Sequence, residues 1–195
     1  MNEVSNEKFK IEFYSSEGDS RTWDNLTKMV CCHGKYRLGD KHDYNSNDFD
    51  SWEDFKKAII KNEKAVIIKP LYIYDHGGIT IATSPFSCRW DSGQVGFVFV
   101  TRETMLKEYG IKRITKKYIE QATKVLGGEV ETYKQEVEGD VWGFNSENLE
   151  TGETDSCGGF YGSDFWANGM TDHINDEIIE GLRSELEAEF GKEKK

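Results

Sequence analysis

The sequence predicts an α+β fold, an antiparallel sheet with several helices packed on one face, and three observations carry that prediction. Short segments alternate apolar and charged residues, as Phe9, Ile11 and Phe13 do within KFKIEFY, which is the period of a half-buried strand. Tight turn signals such as Asp75-His76-Gly77-Gly78 join consecutive apolar segments, the mark of antiparallel neighbours. Helical patterns interrupt a largely sequential set of strands instead of alternating with them one for one, which sets the helices apart from the sheet.

In chain order, residues 8–14 form the first strand and 26–33 the second. Residues 39–50 are rich in Asp, Asn and Ser and form a loop. Ser51 is placed to cap a helix running through Asn62. In it Trp52, Phe55, Ala58 and Ile59 fall at helical spacing, and Glu53 and Asp54 complement the first turn. Residues 65–74 and 79–83 flank the Asp75–Gly78 turn as a hairpin, and 94–101 add a strongly apolar strand. Thr101 caps a short helix that stops at Gly110. Thr115 caps the next, which is expected to stop at Gly127-Gly128. Residues 129–144 and 153–161 then read as a long hairpin with its turn near 148–152, and 164–190 as mostly helical.

A chain of 195 residues fits a single domain spanning 1–195. Its 11 Phe, nine Tyr and five Trp supply a core despite an apolar fraction of 36%. Apolar runs such as 66–68 and 98–100 are far too short to cross a bilayer. The polar start MNEVSNEKFK lacks the apolar centre of an export signal. A cytoplasmic location is expected, with Cys31, Cys32, Cys88 and Cys157 as reduced thiols.

The net charge of −11 is unevenly spread: −3 over residues 1–60, +5 over 61–128 and −13 over 129–195. The last third repels nucleic acid and anionic membrane and attracts a basic surface. Within it, Glu129, Glu131, Glu136, Glu138 and Asp140 crowd the first expected hairpin strand. Asp176, Glu177, Glu180 and Glu187 surround the apolar face of the last helix, which packs on the core or on a second copy. Duplex DNA presents one negative charge per roughly 1.7 Å of axis, so two dense rows of carboxylates suit a competitor for a DNA-binding groove. The basic stretch 102–124 reads as a solvated helix face or a cradle for the acidic third.

Chemistry at a defined site finds thinner support. Cys32, His33, His42, His76, Cys88 and Cys157 are zinc ligands by type. They form none of the short pairs that structural sites favour, and adjacent strand residues point to opposite faces; neither a metal nor another cofactor is expected. Cys88 or Cys157 could act as nucleophile, with His76 as base and Asp75 or Asp91 as orienting group, although no nucleophile signature surrounds either cysteine. No glycine-rich phosphate loop is present.

Three segments stand out: WDNL…MVCCHGKYRLGDKH, LYIYDHGGIT…PFSCRWDSGQVGF and ETDSCGGFYG. Together, over roughly residues 20–165, the chain resembles a family of small proteins encoded by phages and prophages of gut Firmicutes. That family's pattern has a glycine where Thr27 stands and a basic residue where Gly34 stands. The resemblance implies no reaction. It implies a phage setting, in which small acidic proteins without enzyme motifs often inhibit host defence.

The expectation drawn is a non-enzymatic, anti-CRISPR-like counter-defence inhibitor in the host cytosol. It would bind a basic host-defence nuclease, such as a CRISPR effector, through a DNA-mimicking surface. Direct nucleic-acid binding is not expected. The alternatives are a small Cys/His-dependent enzyme or metal-binding protein of phage origin, and a self-associating phage accessory protein such as a homodimer.

Overall fold

The structure is a computed structural model and describes residues 3–193. The strands are β1 (Glu3–Ser5), β2 (Phe9–Ser15), β3 (Lys28–Cys31), β4 (Ala65–Asp75), β5 (Ile79–Ala82), β6 (Ser92–Thr101), β7 (Val141–Asn148) and β8 (Glu153–Tyr161). The helices are α1 (Trp52–Glu63), α2 (Arg102–Glu108), α3 (Lys116–Glu138), α4 (Asp176–Gly181) and α5 (Arg183–Phe190). The chain divides into two compact units: a central one, Asp19–Glu138, inserted between the halves of a terminal one, Met1–Gly18 with Gly139–Lys195. The class is α+β, and each unit holds a four-stranded antiparallel sheet.

In the central unit the sheet order is β3-β6-β4-β5, and helices cover both faces. On one face Met29, Leu71, Ile73, Val98 and Val100 meet Ala122, Leu126, Val130 and Tyr133 of α3. On the other, Val30, Phe97 and Phe99 meet Phe55 and Ile59 of α1. This two-sided burial explains why β6 reads as a continuous apolar run. Ser51 caps α1 as expected, its Oγ accepting from the Asp54 N–H at 3.1 Å. Thr101 caps α2 in the same way, accepting from the Thr104 N–H at 3.0 Å. Between β3 and β6 the backbones approach so closely that a Cβ at Gly96 would lie 1.8 Å from the Val30 carbonyl oxygen. Only glycine fits there.

One expected boundary is overturned. Gly127-Gly128 does not end a helix, and residues 129–138 are not a strand: α3 runs unbroken to Glu138 and stops before Gly139, which takes φ of 74°. The reason is the apolar stripe. Ala122, Leu126, Val130 and Tyr133 recur at helical spacing through the glycine pair and are buried in one core. Their burial outweighs the roughly 1 kcal/mol that each interior glycine costs relative to alanine.

The terminal unit has the sheet order β1-β2-β7-β8. Phe9, Ile11, Phe13, Phe144 and Phe160 face Met170, Ile174, Ile178, Ile179, Leu182 and Leu186, so its helices lie on one face. The expected helical stretch over 164–190 proves shorter, confined to a 3-10 turn at Met170–Asp172, α4 and α5. Among the described residues, no helix is long and apolar enough to cross a membrane.

A Cβ at Gly127 or at Gly128 would meet nothing within 4 Å. Gly127→Ala and Gly128→Ala should each stabilise the protein by about 0.5–1 kcal/mol. Urea denaturation reads this directly, and a lowered midpoint would show that the pair relieves a strain in α3.

Candidate functional site

The first two unusual segments converge at one end of the central sheet. The Tyr36 hydroxyl donates to Asp75 Oδ1 at 3.1 Å, and Lys35 Nζ lies 3.6 Å from Asp75 Oδ2. The Asp75 N–H donates to the Asp91 carbonyl at 2.8 Å, joining the end of β4 to the loop before β6. His76 Nδ1 is 3.4 Å from Asp91 Oδ2, and the Cys88 thiol reaches that same oxygen at 3.5 Å. Sequence reasoning therefore named three residues that do meet, but their order differs from a nucleophile–base–orienter chain. Asp91 stands between the sulfur and the imidazole, so the partner of the thiol is a carboxylate and not the histidine. The Ser92 hydroxyl donates to the Cys88 carbonyl and closes this turn, which presents Trp90 to solvent at 95% exposure.

A concavity of about 1030 Å3 opens beside it, lined by residues 31–34 and 36–47 except Asp43. Its histidines are already engaged. His42 Nδ1 accepts from the Tyr44 N–H at 3.2 Å, and its Nε2 lies 2.9 Å from the Cys31 carbonyl, so Nε2 carries the proton. His33 Nδ1 accepts from the Lys35 and Tyr36 N–H groups and its ring stacks on Tyr36. Cys31 and Cys32 enter opposite cores of the sheet, and burial pushes the Cys31 thiol up to about 12. Among the described residues, no group of three or more His, Cys, Asp or Glu side chains is arranged to hold a metal ion.

The acids expected on one hairpin strand lie instead on α3, apart from Asp140 just after it, and they divide. Glu131 and Glu138 are exposed. Glu129 and Glu136 turn inward with Tyr133, at positions i, i+4 and i+7 of one helix face. Glu129 Oε1 accepts from the Leu26 N–H at 2.7 Å, and its Oε2 from the Thr27 N–H at 3.0 Å and from the Thr27 hydroxyl. Glu136 Oε2 accepts from the Ser20 N–H at 2.8 Å, and the Tyr133 oxygen from the Gly39 N–H at 2.7 Å. Arg21, its side chain only 9% exposed, grips Asp40 through two bonds of 2.9 and 2.8 Å and lies 3.7 Å from Glu129. Asp140 accepts from the Trp142 indole at 2.7 Å. Glu129 and Glu136 thus hold loops in place. The spacing 129, 133, 136 was the available signal, masked by the expectation of a strand; Arg21 and Asp40 carried none.

The acidic excess lies in the terminal unit. This unit carries 18 acidic and six basic residues, a net of −12, against 18 and 19 in the central unit, a net of +1. Among its described residues, Lys8 pairs with Glu150, Lys10 with Glu3 and Glu12, and Arg183 with Glu180 and Glu193. Asp176 and Glu177 at the start of α4 are exposed, and Glu187 on α5 is half-buried; no cation pairs with these three among the described residues. Cys157 sits on β8 and packs against the terminal core.

No protein-family model, curated protein or solved structure matches this chain.

Two outcomes test the network on α3. Arg21→Met strands partly buried carboxylates and should cost about 3–5 kcal/mol, and Glu129→Gln about 2 kcal/mol. Denaturant midpoints equal to that of the parent would show that the loops are held by other means. Burial also pushes the Tyr133 hydroxyl up to about 12. Tyr133 and Cys31 therefore bind their protons more tightly folded than unfolded, and the stability this confers is fully present below their ordinary values of 10.0 and 9.0. It is lost as pH rises toward 12. Denaturation midpoints measured across that range should fall, and fall less in Tyr133→Phe and Cys31→Ala.

Proposed function

We propose that this protein is a non-enzymatic inhibitor whose acidic terminal unit occupies the phosphate-binding groove of a basic, nucleic-acid-handling partner. The observation that carries this reading is the division of charge, −12 on one unit and +1 on the other. A need for solubility alone does not call for such segregation, because mixed charges on both units would serve it. Concentrating negative charge on one unit instead costs stability through self-repulsion, and a partner that neutralises it recovers that cost. The exposed pair Asp176 and Glu177, with Glu187, forms the core of the proposed surface, and the α3 acids Glu129 and Glu136 do not contribute to it. The resemblance to phage-encoded proteins supports a counter-defence setting, with a guide-loaded CRISPR effector nuclease as the partner class.

Charge competition predicts fast association that weakens steeply with salt. The purified protein should displace duplex DNA from at least one of a panel of guide-loaded Cas nucleases. The effect should fade between roughly 0.05 and 0.3 M salt, as the screening length falls below 10 Å. A variant with Asp176, Glu177 and Glu187 all changed to Lys should lose at least about tenfold in potency, given up to roughly 1 kcal/mol per rim charge. Displacement by the variant as strong as by the parent would refute the proposal, as would indifference to salt.

A further inference from the structure

Every open sheet has two edges whose N–H and C=O groups lack a ladder partner, and folded proteins blunt them with short strands, Lys, Pro or a covering segment. Three of the four edges here are blunted. β1 has three residues and lies against α5. β3 has four and is covered by the 38–40 loop, with Val30 bridging Gly39 and the Asp40 N–H donating to the Met29 carbonyl at 2.8 Å. β5 has four residues and packs under α3. The fourth, β8, is different. It has nine residues, ends the terminal sheet, and contains no Lys, Arg or Pro. Residues 153–156, Gly158 and Gly159 are exposed. The Ser156 N–H donates to the neighbouring Asp155 carboxylate at 2.8 Å.

Strand alternation puts Glu153 and Asp155 on one face of β8 and Thr154 and Ser156 on the other. On one face Glu153 and Asp155 line a cleft of about 360 Å3 together with Glu177, Asn148 and Asn175. On the other, Thr154 and Ser156 border a polar concavity with Lys10, Glu12, Asn145 and Glu147, at whose margin Asp155 also lies. Opposite charges directly across a strand pair favour pairing, and like charges oppose it. A second copy of this chain would bring a unit of −12 against one of −12, so self-pairing through β8 is disfavoured. A segment with a basic residue at every second position would set its cations over Glu153 and Asp155 and its small side chains over Thr154 and Ser156.

We propose that β8 receives an extended basic segment of the partner as a fifth strand of the terminal sheet, recognised by main-chain bonds and by alternating lysine or arginine side chains in the Glu153–Asp155–Glu177 cleft. The proposal rests on the reading of the partner as basic and adds the element that is recognised, a peptide main chain in place of a charge pattern alone. It leaves Asp176 of α4 and Glu187 of α5 to compete with phosphates.

The test uses the full chain and labelled peptides followed by fluorescence anisotropy. The first peptide alternates lysine with threonine and valine over seven residues. The second has the same composition with all lysines in one block, and the third is the first peptide N-methylated at alternate amides. The alternating peptide should bind about tenfold more tightly than the block isomer, two favourable cross-strand pairs with Glu153 and Asp155 and the nearby charge of Glu177 together being worth roughly 1.4 kcal/mol. N-methylation should abolish binding, and so should the double variant Glu153→Lys, Asp155→Lys, with circular dichroism confirming that the variant is folded. Equal binding of all three peptides would overturn strand addition while leaving the charge reading standing. No binding by any peptide, together with retained displacement of DNA from a nuclease, would also overturn it without touching that reading. A dimer in sedimentation that the double variant dissolves would assign the edge to a second copy and refute the proposal.

Discussion

The guanidinium of Arg21 organises the central unit. It holds Asp40 through two bonds, donates to the Thr27 carbonyl at 2.8 Å and lies beside Glu129 on α3. Asp40 in turn accepts the Met29 N–H at 2.7 Å, and Glu129 accepts those of Leu26 and Thr27. Residues 19–27 and 36–40 have almost no ladder of their own, so their buried amides need these acceptors. A buried ion set is rarely a net source of stability compared with an apolar replacement, yet breaking one member is costly. Its effect here is to place: it fastens two irregular segments to one helix face, which in turn sets Tyr36 against Asp75 and brings the two unusual sequence segments together.

Much of the fold was legible because local chemistry and burial agree. The Ser51 and Thr101 caps, the Asp75–Gly78 turn and the alternation of Phe9, Ile11 and Phe13 each state one preference that the packed structure satisfies. Legibility fails at α3, where two signals conflict. Gly127-Gly128 looks like a helix stop, while the stripe from Ala122 to Tyr133 demands a continuing helix, and a long buried stripe wins over two local penalties. That one misreading turned inward-facing acids into members of an exposed row. The meeting of His76, Cys88 and Asp91 was legible as an inventory of residues but not as an order, since only the folded turn puts the carboxylate in the middle.

Charge and connectivity bear on function together. A count along the chain places the acidity in the last third, and the fold adds the first 18 residues to it, so the acidic module is assembled from both ends of the described chain. Its neighbour is almost neutral and carries the aromatic and histidine-rich end of the sheet, with Trp90 held outward by a closed turn. Fields of several kT arise from charge concentrated in this way. A module that carries them on a small sheet with one unblunted edge has both a long-range attraction and a short-range template.

The split terminal unit has a consequence for synthesis. Phe13 of β2 pairs with Phe144, so the partner strand β7 leaves the ribosome about 130 residues after β2, a wait of roughly ten seconds at translation rates of 5–20 residues per second. The central unit can complete itself in that interval, because its sheet, helices and buried ion set all lie within Asp19–Glu138. The segment KFKIEFYS meanwhile lacks β7 and has only the three-residue β1 as a possible neighbour, and Lys8, Lys10 and Glu12, interleaved with its three large apolar residues, serve as gatekeepers against association between nascent chains.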